Sequence, residues 1–228
     1  MNTPDPRQCS HYDRLYGGEG FGYERQRGMW TRWVRQYYIG SFGLKRGERL
    51  LDIPCGDGFW ASLFDGQGLR VSGVDVSEGG IEVARRRYPG IDFRVGDAEG
   101  PLPYEPGEFD VVFSRGISHL HREDLGKEST RQMARTLMSL VSPKGLLLVS
   151  LHTRRDHSGS ETHAFHPVSA LVELFESVGD PYRVEVVDDY VQIGVQHRGG
   201  PRTAGGVRST SLLDPRAIRR RARRLLPR

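Results

Sequence analysis

The sequence predicts an α/β protein built on a doubly wound, mostly parallel sheet, with one antiparallel strand near its C-terminal end. Three observations carry this. Short, nearly continuous apolar runs alternate with helical stretches from residue 49 onward. The first run ends in a strand–turn–helix with two glycines. Two strand-like runs near residue 190 are separated by so little chain that they pair as a hairpin. Strands that are apolar on both faces are strands covered by helices on both sides.

Residues 1–45 are rich in aromatics, Gly and Arg. Gly17, Gly18, Gly20 and Gly22 read as a loop. From Arg25 to Tyr38, the positions Met29, Trp30, Trp33, Val34 and Tyr37 fall near i, i+4 and i+8, the pattern of an amphipathic helix. Strands are expected at 49–53, 69–76, 91–95, 109–114 and 145–151, with helices at 59–66, 78–87, 118–124 and 128–141. A polar loop follows, then a helix over 166–179 ending at Gly179. The hairpin strands are 182–188 and 190–196. This divides the chain into an N-terminal helical cover (1–45), a central domain (46–197) and a basic linker and tail (198–228).

The 228 residues suffice for one medium domain with a sizeable core. No apolar run approaches the roughly 20 residues of a membrane-spanning helix, and the first residues lack a secretory apolar stretch. Two cysteines, Cys9 and Cys55, suit a reducing cytosol rather than a disulfide scaffold. The net charge of +4 is unevenly placed: residues 202–228 hold nine Arg and one Asp, or +8, which leaves −4 on the rest. A general nucleic-acid-binding body is therefore not expected.

The most informative stretch is Leu51-Asp52-Ile53-Pro54-Cys55-Gly56-Asp57-Gly58. Glycines at 56 and 58 let the backbone turn tightly and approach a ligand at the carboxyl end of a first parallel strand, where open α/β sheets bind ligands. Alone, the same pattern also fits an ordinary tight turn. Asp75, with Val76 beside it, stands at the tip of the next strand, 17 residues after Gly58, where a carboxylate can accept both hydroxyls of a ribose. The alternative for Asp75 is a helix cap, a role better suited to Ser77. Asp97 in Gly96-Asp97-Ala98 marks the third strand tip, and Phe109-Asp110-Val111-Val112 opens the fourth strand.

Taken together, these motifs and the later Pro143-Lys144-Gly145 resemble class I S-adenosylmethionine-dependent methyltransferases of Rossmann-like fold, over roughly residues 48–151. The hairpin to 196 completes that family's strand order. The resemblance implies that Asp52, Gly56 and Gly58 face the methionine portion of S-adenosyl-L-methionine. It also implies that Asp75 binds the ribose, that Asp97 and Ala98 border the adenine, and that Ser114 and Arg115 line the pocket after strand four. Pro54-Cys55 stands where many relatives carry small residues. A nicotinamide-dependent oxidoreductase is the main rival, because Gly56-x-Gly58-x-x-Ala61 fits the relaxed dinucleotide fingerprint. A cofactor-binding partner without catalysis would keep the same residues.

A methyl acceptor with a hydroxyl must lose its proton, and histidine is the usual base near neutral pH. His119 matches the position after strand four where many relatives place a histidine, and His121 follows it. Each is otherwise a partly buried loop histidine. The expected substrate is a small molecule methylated on oxygen: a sugar, a glycan precursor or a secondary metabolite. Tyr12, Tyr16, Tyr23 and Trp30 read either as a cover over cofactor and acceptor or as a helix packed on the sheet; the neighbouring glycines favour the cover. His152, His157, His163 and His166 match no tight chelating spacing, so no metal is expected. The tail helix after Asp214 shows Ile218, Leu225 and Leu226 on one side and Arg elsewhere. It reads as a solvated segment, as an element that lies on an anionic membrane surface, or as an RNA-binding segment, the last disfavoured because the tail lacks aromatics that stack on bases.

Overall fold

The computed structural model describes residue 13 and residues 22–121, 124–152, 166–187 and 190–200. A helical segment opens this part, with a 3-10 turn at Tyr23–Gln26, helix α1 at Arg27–Trp33 and a π-helical stretch at Val34–Gly40. There follow β1 (Arg49–Asp52), α2 (Phe59–Asp65), β2 (Arg70–Asp75), α3 (Glu78–Arg87), β3 (Asp92–Val95), β4 (Phe109–Arg115) and α4 (Glu128–Ser139). The chain continues through β5 (Val141–His152), α5 (Val168–Glu176), β6 (Asp180–Val187) and β7 (Tyr190–Gln196).

The seven strands form one sheet in the order β3-β2-β1-β4-β5-β7-β6. The first five strands pair in parallel, and β7 runs antiparallel to both β5 and β6. The order reverses between β1 and β4, which makes the carboxyl ends of these two strands the place where a ligand cleft forms.

Each face of the sheet buries its own apolar layer. Leu51, Val112, Leu147 and Val149 pack beneath Met133 and Leu137 of α4 and Phe175 of α5. Leu50, Val111, Phe113 and Leu148 face the other way, against Trp30, Val34 and Tyr38 and against Phe59, Trp60 and Phe64 of α2. The strict alternation along β1, β4 and β5 produces these two layers.

Three local expectations need correction. The buried stripe of the N-terminal helix is Trp30, Val34, Tyr38 and Phe42, while Met29 is 42% exposed. A repeat of four drifts around an α-helix of about 3.6 residues per turn, and the wider π turn brings it back into line. Trp30 is thus a core residue, not part of a mobile cover: its ring lies 5.2 Å from that of Trp60, edge to face. After β4 only a single 3-10 turn forms, at Ser118–His121, in place of a helix. Strand β5 begins at Val141, earlier than its apolar run, because Pro143-Lys144-Gly145 is absorbed at a register shift against β4.

Candidate active site

The turn after β1 is fastened to the neighbouring strands. The Cys55 amide donates to the Val74 carbonyl at 2.9 Å, and the Gly58 amide donates to the Cys55 carbonyl at 3.0 Å. Gly56 and Gly58 have φ of 53° and 79°. A Cβ on Gly58 would lie 2.7 Å from Phe93 Cζ, so close packing as well as handedness demands glycine there.

Asp75 is buried at the tip of β2. Its Oδ2 accepts the Gly56 amide at 2.8 Å and its Oδ1 accepts the Ser77 amide at 2.9 Å. Capping of α3 falls to Ser77, whose hydroxyl accepts the Gly80 amide at 3.0 Å. Burial raises the Asp75 carboxyl to about 6, against the pull of the Ser77, Gly56 and Val76 amides. The Gly96 amide donates to the Asp75 carbonyl at 2.9 Å, which ties the tip of β3 to that of β2. Asp97 closes its own turn by accepting the Glu99 amide at 2.9 Å, and Ala98 is buried beside it.

Asp52 lies on the same face of the sheet as Leu50. Both of its carboxylate oxygens are buried without a hydrogen-bond partner among the described residues. Burial and the nearby Asp75 hold its carboxyl well above the usual carboxylate range, and the approach of the Ala61 amide offsets only part of this. A buried acid left in this state is completed by a ligand that brings hydrogen-bond donors.

Alternation along β4 sends Ser114 to one face and Arg115 to the other. The Ser114 hydroxyl is buried with no partner among the described residues. The Arg115 guanidinium sits in a ring of aromatics: its Cζ lies 4.2 Å from the Trp60 centroid, 5.0 Å from Tyr190, 5.5 Å from Tyr23 and 5.9 Å from Trp30. It donates to the Tyr190 hydroxyl at 2.9 Å and the Tyr23 hydroxyl at 3.3 Å. Tyr23 also stacks on Phe59, with centroids 5.5 Å apart. Asp110, at the other end of β4, pairs with Arg49 across to β1 and takes no part in the site.

His119 is buried on the 3-10 turn after β4, with its Nε2 against Glu99 Oε1. This contact joins the segment after β4 to the segment after β3. His121 is half-buried on the same turn. Tyr12, Tyr16, His157 and His163 lie outside the described residues. His152 packs on Tyr190 with ring centroids 3.9 Å apart. Among the described residues no three His, Cys, Asp or Glu side chains cluster as a metal site would require.

Glu99, Trp60 and Tyr190 were not singled out from the sequence. Tyr190 had a signal: Val191, Ile193 and Val195 take one face of β7, so Tyr190 and Gln192 must point to the other.

A model of a methyltransferase domain matches residues 50–145, the stretch that carries the glycine turn, Asp75, Asp97 and Arg115. The chain carries a class I methyltransferase domain. The methyl donor of such domains is S-adenosylmethionine, and the completed strand order with the family match sets the nicotinamide reading aside. The methyltransferase domain is 33% identical over 124 residues to the demethylmenaquinone methyltransferase of Renibacterium salmoninarum, covering 54% of this chain and 48% of that protein. It is 33% identical over 163 residues to a Mycolicibacterium smegmatis protein named probable S-adenosylmethionine-dependent methyltransferase, covering 68% and 57%. The chain thus spans about half the length of these curated relatives. The TehB-like S-adenosylmethionine-dependent methyltransferase of Corynebacterium glutamicum shares the fold, with a TM-score of 0.59 and 18% identity over 85% of this chain and all (100%) of that one.

Proposed function

We propose that this protein transfers the methyl group of S-adenosylmethionine to a hydroxyl of a small molecule, with His119 as the base. The observation that carries the reading is the contact between the buried His119 and the partly buried Glu99 at the carboxyl side of β4. The contact with Glu99 orients the imidazole, to which this reading assigns the acceptor proton. The new O–C bond forms as the S–C bond breaks, the sulfonium leaves as the neutral thioether, and the proton stays on His119. The donor brings its own activation, so the protein's work is binding, orientation and proton removal.

Asp52, Gly56, Gly58, Asp75, Val76, Asp97, Ala98 and Ser114 hold the donor in this reading, with Arg115 at the boundary between donor and acceptor. The partnerless Asp52 oxygens suit an ammonium donor, and the Asp75 oxygens keep lone pairs for ribose hydroxyls. We assign a cover over the site to Tyr23, together with Tyr12 and Tyr16, which lie outside the described residues. Asp13 supports this, since it accepts the Gly79 amide at 3.1 Å and bonds the Ser77 hydroxyl, which brings the N-terminal segment beside the tip of β2. The likeness to a demethylmenaquinone methyltransferase supports a small-molecule acceptor.

The test is turnover of a panel of hydroxylated metabolites, read as release of S-adenosylhomocysteine, for the full chain and His119→Ala. Loss of turnover with unchanged donor binding is expected; unchanged turnover removes His119 from the chemistry. Among the described residues no helix is long and apolar enough to cross a membrane. We assign the Arg-rich residues 210–228, which lie outside the described residues, to an anionic membrane surface; flotation with anionic vesicles that is insensitive to their deletion rejects this.

A further inference from the structure

We propose that Arg115 is the receptor for a carboxylate of the methyl acceptor, and that the substrate is therefore a planar, monoanionic molecule. This rests on the methyltransferase reading above but not on His119. Four side chains stand in register across the sheet on one face: Arg115 of β4 opposite Ser150 of β5, Ser150 opposite Gln192 of β7, and Gln192 opposite Glu185 of β6. This face is the one covered by the N-terminal helix, and it also carries the buried Asp52 and Gln196. Ser150 is satisfied by the Tyr38 hydroxyl at 2.9 Å. Glu185 is satisfied by Arg183. Gln192 is 0% exposed, and neither end of its amide has a hydrogen-bond partner among the described residues.

Arg115 presents the complementary deficit. Its hydroxyl partners Tyr23 and Tyr190 satisfy two N–H groups, yet its buried Nε has no partner. The acidic group that feels its charge is Asp52, whose carboxyl is nevertheless held by burial well above the usual carboxylate range. A guanidinium keeps its charge in every folded environment, so neutral phenols and a carboxyl held toward its neutral form compensate it only in part. Burying such a charge is costly, and an anion that arrives with the substrate removes that cost.

The local chemistry selects the anion. A carboxylate matches the planar fork of a guanidinium and carries a single charge, equal to that of Arg115. A phosphate monoester carries nearly two, and Arg183, two residues along β6 from the row, is already committed to Glu185. Trp60 and Tyr190 flank the guanidinium with flat faces and suit a planar group beside the carboxylate. Gln192 lies two strand spacings from Arg115, about 10 Å at the backbone, with its amide open to a second polar group of the same molecule. The amino-acid end of S-adenosylmethionine also carries a carboxylate, so the experiment must separate the two sources.

The full chain saturated with S-adenosylhomocysteine is titrated with 4-hydroxybenzoate and with its neutral amide, read by tryptophan fluorescence. The acid is expected to bind about tenfold more tightly than the amide, a preference that Arg115→Gln abolishes and Arg115→Lys partly retains. Gln192→Leu is expected to weaken the acid a few-fold while leaving its preference over the amide. In parallel, calorimetry compares S-adenosylhomocysteine with 5′-methylthioadenosine, which lacks the carboxylate. Equal binding of acid and amide by the wild-type protein overturns the proposal. So does a selective loss of S-adenosylhomocysteine affinity in Arg115→Gln with 5′-methylthioadenosine untouched, which would assign Arg115 to the donor. If Arg115→Gln does not fold, the wild-type comparison and Arg115→Lys decide. Failure of both adenosine ligands to bind the wild-type protein would instead reject the methyltransferase reading.

Discussion

Asp75 holds the backbone amide of Gly56 at 2.8 Å, so the acidic tip of the second strand fixes the glycine turn of the first. One carboxylate thereby shapes the glycine loop and, in the proposed reading, keeps lone pairs for the ribose of the donor. Asp75→Asn removes the charge and one of the two backbone acceptors. Affinity for S-adenosylhomocysteine should fall about 100-fold, given about 1.5–3 kcal/mol for each hydrogen bond to a charged group. Calorimetry checks this; an unchanged affinity would detach Asp75 from the donor.

The pH dependence follows from the same residue. Burial raises the Asp75 carboxyl to about 6, with Asp13 adding to the shift, and Asp52 nearby is displaced in the same direction. In the folded state the group binds a proton at a pH where the unfolded chain has released it. The contribution of Asp75 to the stability of the free protein therefore declines as pH rises from about 4 to about 6 and is constant above that window, and Asp52 adds a loss of the same sign. Ribose hydroxyls need the ionised form as their acceptor, so S-adenosylhomocysteine affinity should drop about tenfold per unit below pH 6. Titrations at pH 5, 6 and 7.5 decide it, and a flat profile would contradict it.

Gly58→Ala places a Cβ at 2.7 Å from Phe93 Cζ on a residue with φ of 79°. The strained conformation alone costs about 1–2 kcal/mol, and the contact adds to it. Urea denaturation should show a loss of at least about 2 kcal/mol, together with weakened donor binding. Wild-type stability in this variant would mean the turn is looser than described.

The Tyr38 and Ser150 hydroxyls form a buried bond at 2.9 Å between the N-terminal helix and the sheet. Burial pushes the Tyr38 phenol up, against the influence of Arg115, so it stays neutral. A double-mutant cycle with Tyr38→Phe and Ser150→Ala should give a coupling of about 1 kcal/mol. Additive effects would show that the helix is held by its apolar stripe alone.

Glu99→Gln tests the orientation of His119. The amide cannot stabilise an imidazolium, so turnover should fall about 10- to 100-fold. Donor affinity should be nearly unchanged. Equal losses in donor affinity and turnover would make the pair a tie between two loops rather than part of the chemistry.

Much of the donor side was legible in the chain itself. The glycine turn, Asp75 and Asp97 each follow an apolar run, and the parallel order of those runs brings three strand tips together. Ser77 was recognisable as the cap of α3, which left the Asp75 carboxylate for other work. The N-terminal helix was legible as a helix but not in its phase: Trp30 reads equally as cover or core until the π turn sets which side meets the sheet.

What the sequence determined by itself was local: apolar periodicity, turn glycines and the residue type at each strand end, all governed by interactions within a few positions. What only the tertiary structure decided was which distant residues share a face and a register. Arg115, Ser150 and Gln192 are separated by 35 and 42 positions, yet they align because β7 inserts between β5 and β6. Alternation tells which way a side chain points. The pairing of strands remote in sequence, set by burial of the whole sheet, tells what it meets.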